Sequence, residues 1–347
     1  MTTPPVTRPH GGPGSTGPAR FDFSTNANAV GPCPQAEAAV RQADAARYPD
    51  PAYAALRERL AARHGVAPGR VLAAASASEA IFRLTARAAQ RGIRRVRLPV
   101  HGYGDYRDAA RAWSLQPVNE QAGERDTEEG AGLLAWHCDP SSPLGQTTPP
   151  PARADLFTVL DRAYAPLRLA EPDPWAYAAD GIWQIWSPNK ALGLTGVRAA
   201  YLIAPRGAED EAAALERLAP SWPVGAHGVA MLDAWCDPAV ADWLAESRAT
   251  LQRWKAAQIA LCTELGWTVR PSDTNFFCAR PPVDDLPRWL AALRADGVQL
   301  RDCASFGLPG EVRLGVLPPA AQQALAAAAR AASAVFSVSG DPFVPCV

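Results

Sequence analysis

The sequence predicts an α/β protein in which a three-layer α/β/α domain with a mostly parallel sheet is joined to a smaller α+β domain. Two observations lead to this prediction. Short apolar segments bounded by turn residues alternate with segments whose apolar residues recur at helical spacing. This alternation ends after Pro223, where strands and helices follow one another without strict order. Strands that are apolar throughout are typical of a parallel sheet covered on both faces.

The elements follow in order along the chain. In the larger domain, a helix over 52–66 ends at Gly65, and another begins near Ser76 and Ser78. Strands are predicted over 71–75, 94–100, 132–138, 155–161, 181–187 and 199–205. Beyond Pro223 we predict a helical tract over 227–265, a strand over 274–280, a helix near 285–296, and a terminal helix from Pro319. The predicted division is an N-terminal arm (1–35) that joins the small domain, a large domain (36–235) and a small domain (236–347).

Composition excludes several classes of protein. The 347 residues include 34 basic and 35 acidic side chains, a balance that provides no basic surface for nucleic acid or an anionic membrane. No apolar run approaches the roughly 20 residues of a membrane helix. The first residues lack the apolar core of a secretory signal, so a cytoplasmic protein is expected. Seven scattered cysteines, without a CxxC motif, predict neither a disulfide framework nor a metal site.

Only two of the basic residues are lysines, Lys190 and Lys255. A lysine can lose its proton and attack a carbonyl, which an arginine cannot do. Lys255 lies in a helical pattern and is interpreted as a solvated residue, whereas Lys190 lies among turn formers in SPNKALGLTGVR. If Lys190 binds an aldehyde cofactor, Ser187 and Arg198 are suitable donors for the phosphate of that cofactor. The alternative is a solvated loop after a strand.

Asp161 ends a predicted strand in VLDRAYAPL, where the ligand crevice of an open α/β sheet lies. A carboxylate there can keep a pyridine nitrogen protonated, as pyridoxal phosphate chemistry requires, and Tyr164 is placed to reach the phenolic oxygen of the same cofactor. The alternative is a helix-capping aspartate and a packed tyrosine.

Two weaker signals precede these motifs. The strand-to-helix turn that contains Ala75, Ser76 and Ala77 offers backbone amides to an anion, although most such turns bind nothing. Tyr103, which follows the next strand, is suited to stack on a cofactor ring or to pack in the core.

Together and in this order, the motifs resemble those of fold-type I pyridoxal-phosphate enzymes of the class I/II aminotransferase superfamily. They are most similar to the branch of histidinol-phosphate aminotransferases and threonine-phosphate decarboxylases. The matching segments span residues 22 to 316: DFSTNANAVGPCP, RYPDPAYAALRERLAARHGV, DPSSPLGQ, VLDRAY, SPNKALGLTGVR, PSWPVGAHG, TNFFCAR and RDCASFGLPGEVRLGV.

The resemblance implies that pyridoxal 5'-phosphate is the cofactor and assigns roles to its neighbours. Lys190 would bind its aldehyde, Asp161 its pyridine nitrogen and Tyr164 its O3′, while Tyr103 would stack on its ring. The implied phosphate donors are Ser187, Arg198 and the amides of Ala75, Ser76 and Ala77.

The resemblance also implies a homodimer with shared sites, because Tyr48 would reach the phosphate of the neighbouring subunit. Arg313 would bind the substrate carboxylate, with Asn28 near it. Two departures from the family pattern are visible: Ser142 stands where an asparagine usually meets O3′, and AASAS replaces a glycine-rich loop. The second departure is tolerable if the loop keeps negative φ angles.

Two segments favour a decarboxylase. HGG (10–12) and RDCASFGLPG (301–310) resemble segments of threonine-phosphate decarboxylases in which His10 and Arg301 would lie at the substrate phosphate. The disordered-arm and surface-cation interpretations of these two residues stay open. The favoured reaction converts L-threonine O-3-phosphate to an aminopropanol phosphate and CO2, in cobalamin biosynthesis. The alternative is a transaminase of the histidinol-phosphate type, since the outcome depends on how the substrate is oriented. A remote alternative is a non-catalytic binding protein of the same fold.

Overall fold

The computed structural model describes residues 11–12, 17–118, 132–150, 157–176 and 179–338. The helices are α1 (Pro34–Gln42), α2 (Ala54–His64), α3 (Ala77–Gln90), α4 (Gly104–Ala112), α5 (Glu209–Glu216), α6 (Ala226–Ala234), α7 (Pro238–Glu264), α8 (Leu286–Ala295) and α9 (Pro319–Val338). The strands are β1 (Phe21–Asp22), β2 (Val71–Ala74), β3 (Arg95–Arg97), β4 (Gln116–Val118), β5 (Leu133–Cys138), β6 (Phe157–Asp161), β7 (Trp183–Trp186), β8 (Ala200–Ile203), β9 (Thr268–Val269), β10 (Phe276–Arg280), β11 (Val298–Gln299), β12 (Arg301–Asp302) and β13 (Val312–Gly315).

A seven-stranded sheet with the order β2-β8-β7-β6-β5-β3-β4 forms the larger sheet of the molecule. β8 is antiparallel to both of its neighbours, and the other paired strands are parallel. The predicted mostly parallel sheet is therefore confirmed. All six strands predicted for this region are present, and β4 is an additional short edge strand that the sequence pattern did not indicate.

Both faces of this sheet are covered, as the apolar strands predict. Every residue of β2, β6 and β8 is buried. Along β2, Val71 and Ala73 belong to one core cluster, whereas Leu72 and Ala74 belong to another. Because successive side chains of a strand point to opposite faces, this alternation places a hydrophobic core on each side of the sheet.

A second, antiparallel sheet has the order β12-β13-β10-β9 and lies in the C-terminal part. The N-terminal segment joins this part, because β1 pairs in parallel with β11 through Phe21 and Val298. This pairing agrees with the arm predicted over 1–35, while the exact domain boundaries stay predictions. None of the helices among the described residues is long and apolar enough to cross a membrane.

The long helical tract predicted over 227–265 is wrong in one respect, because it consists of two helices. α6 ends at Ala234, and α7 begins at Pro238. The side chain of Asp237 accepts a hydrogen bond from the amide of Ala239, and proline occupies the first helical position. This arrangement is a helix start, so it separates two segments that have the same apolar spacing.

The interpretation of Lys255 as a solvated residue is also wrong. Its side chain is only 8% exposed, and Nζ donates to the carbonyl oxygen of Ser272. Lys255 shares a buried stripe of α7 with Leu251, Gln258 and Cys262, at spacings of three and four residues. Burial lowers the pKa of Lys255 from its ordinary value of 10.5 to about 8.

This burial predicts a pH-dependent stability. Between pH 8 and 10.5 the unfolded chain holds a proton on Lys255 that the folded chain has released, so this residue makes stability rise with pH. We expect the free energy of unfolding of the parent to rise, relative to that of Lys255→Met, by about 2 to 3 kcal/mol between pH 7 and pH 10. Denaturant titrations at several pH values measure it. For Arg253→Met, an exposed substitution on the same helix, the free energy of unfolding should differ from that of the parent by the same amount at every pH. If the free energies of Lys255→Met and the parent changed equally with pH, the prediction would be contradicted.

Candidate functional site

The predicted site residues gather at one edge of the large sheet. β2, β3, β5, β6 and β7 point in the same direction, so their carboxyl ends meet at this edge. Asp161 is the last residue of β6, and Ser187 follows β7 directly. Ser76 follows β2 at the start of α3. This edge is the place where open α/β sheets bind their ligands.

Asp161 is buried, and both of its carboxylate oxygens have donors. The amide of Ala163 donates to Oδ1 at 2.9 Å, and the hydroxyl of Tyr106 donates to Oδ2 at 2.7 Å. Burial raises the pKa of Asp161, whereas these two donors and the positive charge of Lys190 oppose the rise. A carboxylate held in this way is suited to pair with a protonated nitrogen.

Lys190 and Tyr164 are neighbours, as the resemblance implies. The Nζ atom of Lys190 lies 5.3 Å from the centre of the Tyr164 ring, and that ring packs edge-on against Phe276 with 4.7 Å between the ring centres. The backbone at Lys190 is fixed as well, because its carbonyl accepts from the amide of Asn28 at 2.8 Å and from that of Gly193 at 3.2 Å.

The position predicted for Asn28 needs a correction. Its side chain donates to the carbonyl of Ala191 at 3.1 Å and accepts from the amide of Val30 at 3.1 Å, so it braces the loop that carries Lys190. The asparagine that contacts Arg313 is Asn26. With its amide oxygen turned towards the guanidinium, Asn26 accepts from Nη1 at 3.3 Å and from Nε at 3.1 Å.

Asn26 also links the two ends of the site. In the same orientation its amide oxygen lies 3.4 Å from the hydroxyl of Tyr164, which can donate to it. It therefore stands between the residue predicted to meet the cofactor and the residue predicted to bind the substrate carboxylate. The amide of Asn275 holds this segment in place by donating to the carbonyls of Asn26 and Ala27.

The turn predicted to hold a phosphate caps α3. The hydroxyl of Ser76 accepts from the amide of Glu79 at 3.1 Å, and the amide of Ala75 donates to the Glu79 carboxylate at 3.1 Å. Ser76 has a φ of −171°, which any residue adopts, so the turn does not require a glycine there. Of the three amides assigned to the phosphate, that of Ala75 already has a partner, and Ala77 lies at the first turn of the helix.

The hydroxyl of Ser187 is the strongest sign of an absent ligand. It is buried and has no hydrogen-bond partner in the part of the chain that the structure describes. A buried hydroxyl without a partner is costly, and a phosphate oxygen would satisfy it. The side chain of Arg198, the other predicted phosphate donor from this segment, is exposed. The donor set therefore fits a phosphorylated cofactor.

Tyr103 lies beside this turn. Its hydroxyl is 3.1 Å from that of Ser78, and burial raises the pKa of Tyr103 to about 12. Stacking of its ring on a cofactor stays a prediction. Tyr48, predicted to serve the neighbouring subunit, is 79% exposed and stacks on Trp222 with 4.5 Å between the ring centres.

Two arginines that the resemblance assigns to substrate binding lie side by side. Arg301 and Arg313 are direct partners on the antiparallel strands β12 and β13, and the ring of Phe306 lies within 5.0 and 5.6 Å of their guanidinium carbons. Burial and the charge of Arg313 lower the pKa of Arg301. Among the described residues Arg313 forms no ion pair with a carboxylate. Arg301 donates to the hydroxyl of Ser305 at 2.8 Å. Two adjacent buried guanidinium groups favour an anionic ligand.

The remaining hydrogen bonds of Arg313 go to uncharged groups. It donates to the hydroxyl of Ser142 at 3.3 Å and to the carbonyl of Ser24 at 3.1 Å. Ser142 is thus connected to the predicted substrate clamp, a contact that its sequence position did not indicate. The loop of Ser142 also contains Asp139, whose carboxylate forms a buried ion pair with Arg168.

The N-terminal glycines pass close to Arg313. A side chain at Gly11 would begin 2.2 Å from the carbonyl oxygen of Ser24 and 3.5 Å from Nη2 of Arg313, so only glycine fits there. The amide of Gly12 donates to the hydroxyl of Ser24 at 2.9 Å. His10 lies outside the described residues, and its role stays a prediction.

Sequence reasoning missed Tyr106 and Asn26. A signal existed for each, because Tyr106 lies three residues after Tyr103 on one helical side and Asn26 lies two residues before Asn28 in the same motif. Their partners are 55 and 138 residues away in the chain, so the contacts themselves were not visible.

Comparisons with known proteins show the family and the fold. The family model for aminotransferase class I and II matches residues 19–331. A histidinol-phosphate aminotransferase of Rhodospirillum centenum is 29% identical, over 91% of this chain and 92% of its own length. Similar folds occur in the histidinol-phosphate aminotransferase of Sinorhizobium meliloti in complex with pyridoxal-5'-phosphate (TM-score 0.72, 21% identity, 92% and 93% of the two chains). They also occur in the L-threonine-O-3-phosphate decarboxylase of Porphyromonas gingivalis (TM-score 0.72, 22% identity, 89% and 98%).

The unpartnered hydroxyl of Ser187 predicts an effect that depends on the ligand. In the absence of cofactor, Ser187→Ala should be as stable as the parent or slightly more stable, because the substitution breaks no described hydrogen bond. Its affinity for pyridoxal 5'-phosphate should fall by about tenfold or more, since a hydrogen bond to a charged group contributes about 1.5 to 3 kcal/mol. Thermal melts and a fluorescence titration with the cofactor measure the two quantities. Ser247→Ala, which also removes a buried hydroxyl without a described partner, is the matched control; unchanged cofactor affinity in Ser187→Ala would contradict the assignment.

Proposed function

The chain belongs to the class I and II aminotransferase family, and we propose that it is a pyridoxal 5'-phosphate-dependent transaminase of the histidinol-phosphate type. The observation that carries this proposal is the adjacent pair Arg301 and Arg313, of which Arg313 is joined through Asn26 to Tyr164. The name of the Rhodospirillum centenum relative, which matches nearly the whole chain, supports the same choice. The sequence favoured threonine-phosphate decarboxylase, which enters the comparisons as a structural neighbour at 22% identity, a level that speaks for the fold alone.

The residues at the sheet edge would hold the cofactor and carry out the proton transfers. When bound, pyridoxal 5'-phosphate supplies an electron sink for the bonds at the carbon next to the substrate amine. Lys190 would bind the aldehyde carbon through Nζ and give way to the substrate amine. As a free amine it would then take the proton from the substrate carbon that carries the amine. Asp161 would hold the proton of the pyridine nitrogen, and Tyr164 would donate to O3′, with Ser142 near it. Ser187, Arg198 and the turn of Ser76 would bind the phosphate.

A transaminase binds two different substrates in turn at one site, and the arginine pair suits this requirement. Histidinol phosphate presents a phosphate and no carboxylate, whereas an amino-acid partner presents carboxylates. Guanidinium groups pair with either anion in a bidentate manner. Arg313 would bind the carboxylate of the amino acid, and Arg301 beside it would take the phosphate of the phosphorylated amine. Asn26 fixes Arg313 relative to Tyr164.

A decarboxylase is the second candidate, because of one specific observation. Gly11 and Gly12 belong to the HGG segment and lie at Ser24: the amide of Gly12 donates to the Ser24 hydroxyl, and a Cβ at Gly11 would lie 2.2 Å from the Ser24 carbonyl oxygen. The same carbonyl accepts from Arg313, so this segment is attached to the residue that would bind the substrate carboxylate, while the role of His10 stays a prediction. The two reactions differ in which bond of the substrate is directed away from the cofactor plane, and the placing of the anionic groups at Arg301 and Arg313 decides this.

A homodimer is part of the proposal. Tyr48 and Trp222 form an exposed, stacked aromatic pair, a type of surface that is enriched in protein interfaces. In a dimer, Tyr48 would leave solvent and reach the phosphate site of the partner. Light scattering of the purified protein gives the mass, and a monomer at micromolar concentration would contradict this part of the proposal.

Substrate tests separate the candidates. We expect the cofactor-loaded protein to convert 2-oxoglutarate to glutamate in the presence of histidinol phosphate, with both products detected by mass spectrometry. With O-phospho-L-threonine and no keto acid, a decarboxylase would release CO2 and form an aminopropanol phosphate over many turnovers. A transaminase would form neither product and would stop after at most one keto acid per site. Arg301→Met should weaken the binding of either phosphorylated substrate by about tenfold or more. Activity on both unphosphorylated analogues with no gain from the phosphate would contradict the role of the arginine pair.

A further inference from the structure

The side chain of Tyr106 is entirely buried behind the predicted cofactor site. It lies on α4, and its hydroxyl donates to Oδ2 of Asp161 at 2.7 Å. Its ring stacks on Trp136 of β5 with 4.9 Å and 19° between the rings. Tyr103 meets it edge-on at 6.0 Å. These contacts leave the ring no freedom to swing, so the hydroxyl is fixed at the end of β6.

The hydrogen bond between Tyr106 and Asp161 has one direction. Burial, followed by the charge of Asp161, raises the pKa of Tyr106 well above its ordinary range, so the phenol keeps its proton and acts as the donor. The thiol of Cys138, the other titratable group at this hydroxyl, is also kept neutral, because burial raises its pKa. The phenol is therefore the donor to Oδ2, as the Ala163 amide is to Oδ1.

This donor offsets the cost of burying a charge. Burial raises the pKa of Asp161, and the contributions of Tyr106, Ala163 and Lys190 act against it, with that of Tyr106 the largest of the three. Removing the phenol would leave one oxygen of a buried carboxylate without a described donor. Such a group takes up a proton more readily, and a protonated acid cannot hold a second proton on a pyridine nitrogen.

We propose that Tyr106 is a positioning residue that keeps the carboxylate of Asp161 charged and correctly oriented for the pyridine nitrogen of the cofactor. The inference rests on the proposed function, because it assumes that Asp161 meets this nitrogen. It adds a residue of α4 to the site, one that reaches the cofactor ring only through its hydrogen bond to Asp161. Tyr106 itself touches neither substrate nor cofactor.

The test compares Tyr106→Phe with the parent and with Tyr201→Phe. Tyr201 is a matched control, because it lies in the sheet that contains Asp161 and its side chain is buried like that of Tyr106. Its hydroxyl bonds to His64 and Trp235 and not to Asp161. We expect Tyr106→Phe to bind pyridoxal 5'-phosphate about tenfold or more weakly. We also expect the pH midpoint of the visible absorbance band of the bound cofactor to rise by about one unit, since a less charged ring nitrogen repels a proton from the Lys190 nitrogen less strongly. Tyr201→Phe should change neither quantity.

A double variant covers the case in which Tyr106→Phe folds poorly. In an Asp161→Asn background, where no carboxylate needs a donor, adding Tyr106→Phe should change cofactor affinity by less than about twofold. Equal affinity and an equal pH midpoint for parent and Tyr106→Phe would overturn the inference and leave the proposed function standing. A parent protein that binds no pyridoxal 5'-phosphate would instead overturn the proposed function.

Discussion

The arrangement at the sheet edge depends on one buried carboxylate. Asp161 ends the central strand β6, where its two oxygens are held by Ala163 and Tyr106 rather than by water. A charge in this position is tolerated only with such donors and a cation nearby, here Lys190. β5 and β7 on either side of β6 fix its direction, and Ser187 follows β7 at the same edge. The parallel sheet therefore brings together groups that are far apart in the chain.

The substrate end is assembled from three further regions. Arg313 comes from β13, Ser142 from the loop after β5, and Asn26 from the segment after β1. The N-terminal segment is held against β13, because the amide of Gly315 donates to the carbonyl of Phe23 at 2.7 Å. Pairing of β1 with β11 adds to this attachment. The groups predicted to bind the cofactor and those predicted to bind the substrate thus belong to different sheets, and Asn26, between Tyr164 and Arg313, connects them.

Much of this site could be predicted from the sequence, since carboxyl ends of parallel strands share an edge and Asp161 and Ser187 stand at such ends. The contacts made across elements could not be predicted. Tyr106 and Asn26 were missed because their partners lie elsewhere in the chain, and the motif did not show that Asn26 contacts Arg313 while Asn28 contacts Ala191. Lys255 was predicted to be solvent-exposed because charged residues on long helices usually are. Its position four residues after Leu251 and three before Gln258 nevertheless places it in the buried stripe of α7. The end of α6 and the start of α7 at Asp237 were not predicted, because apolar residues recur at helical spacing on both sides of this position.

The central claim, that the sheet edge around Lys190 binds an aldehyde cofactor covalently, is tested most directly by chemical trapping. The purified protein is incubated with pyridoxal 5'-phosphate, reduced with borohydride and digested, and the modified peptides are identified by mass spectrometry. Because the chain has only two lysines, the outcome is clear-cut. The account predicts that Lys190 carries the reduced adduct, that Lys255 does not, and that Lys190→Ala loses the adduct and its yellow colour. An adduct on Lys255 alone, or none at all, would contradict it and favour a protein of this fold that acts without the cofactor.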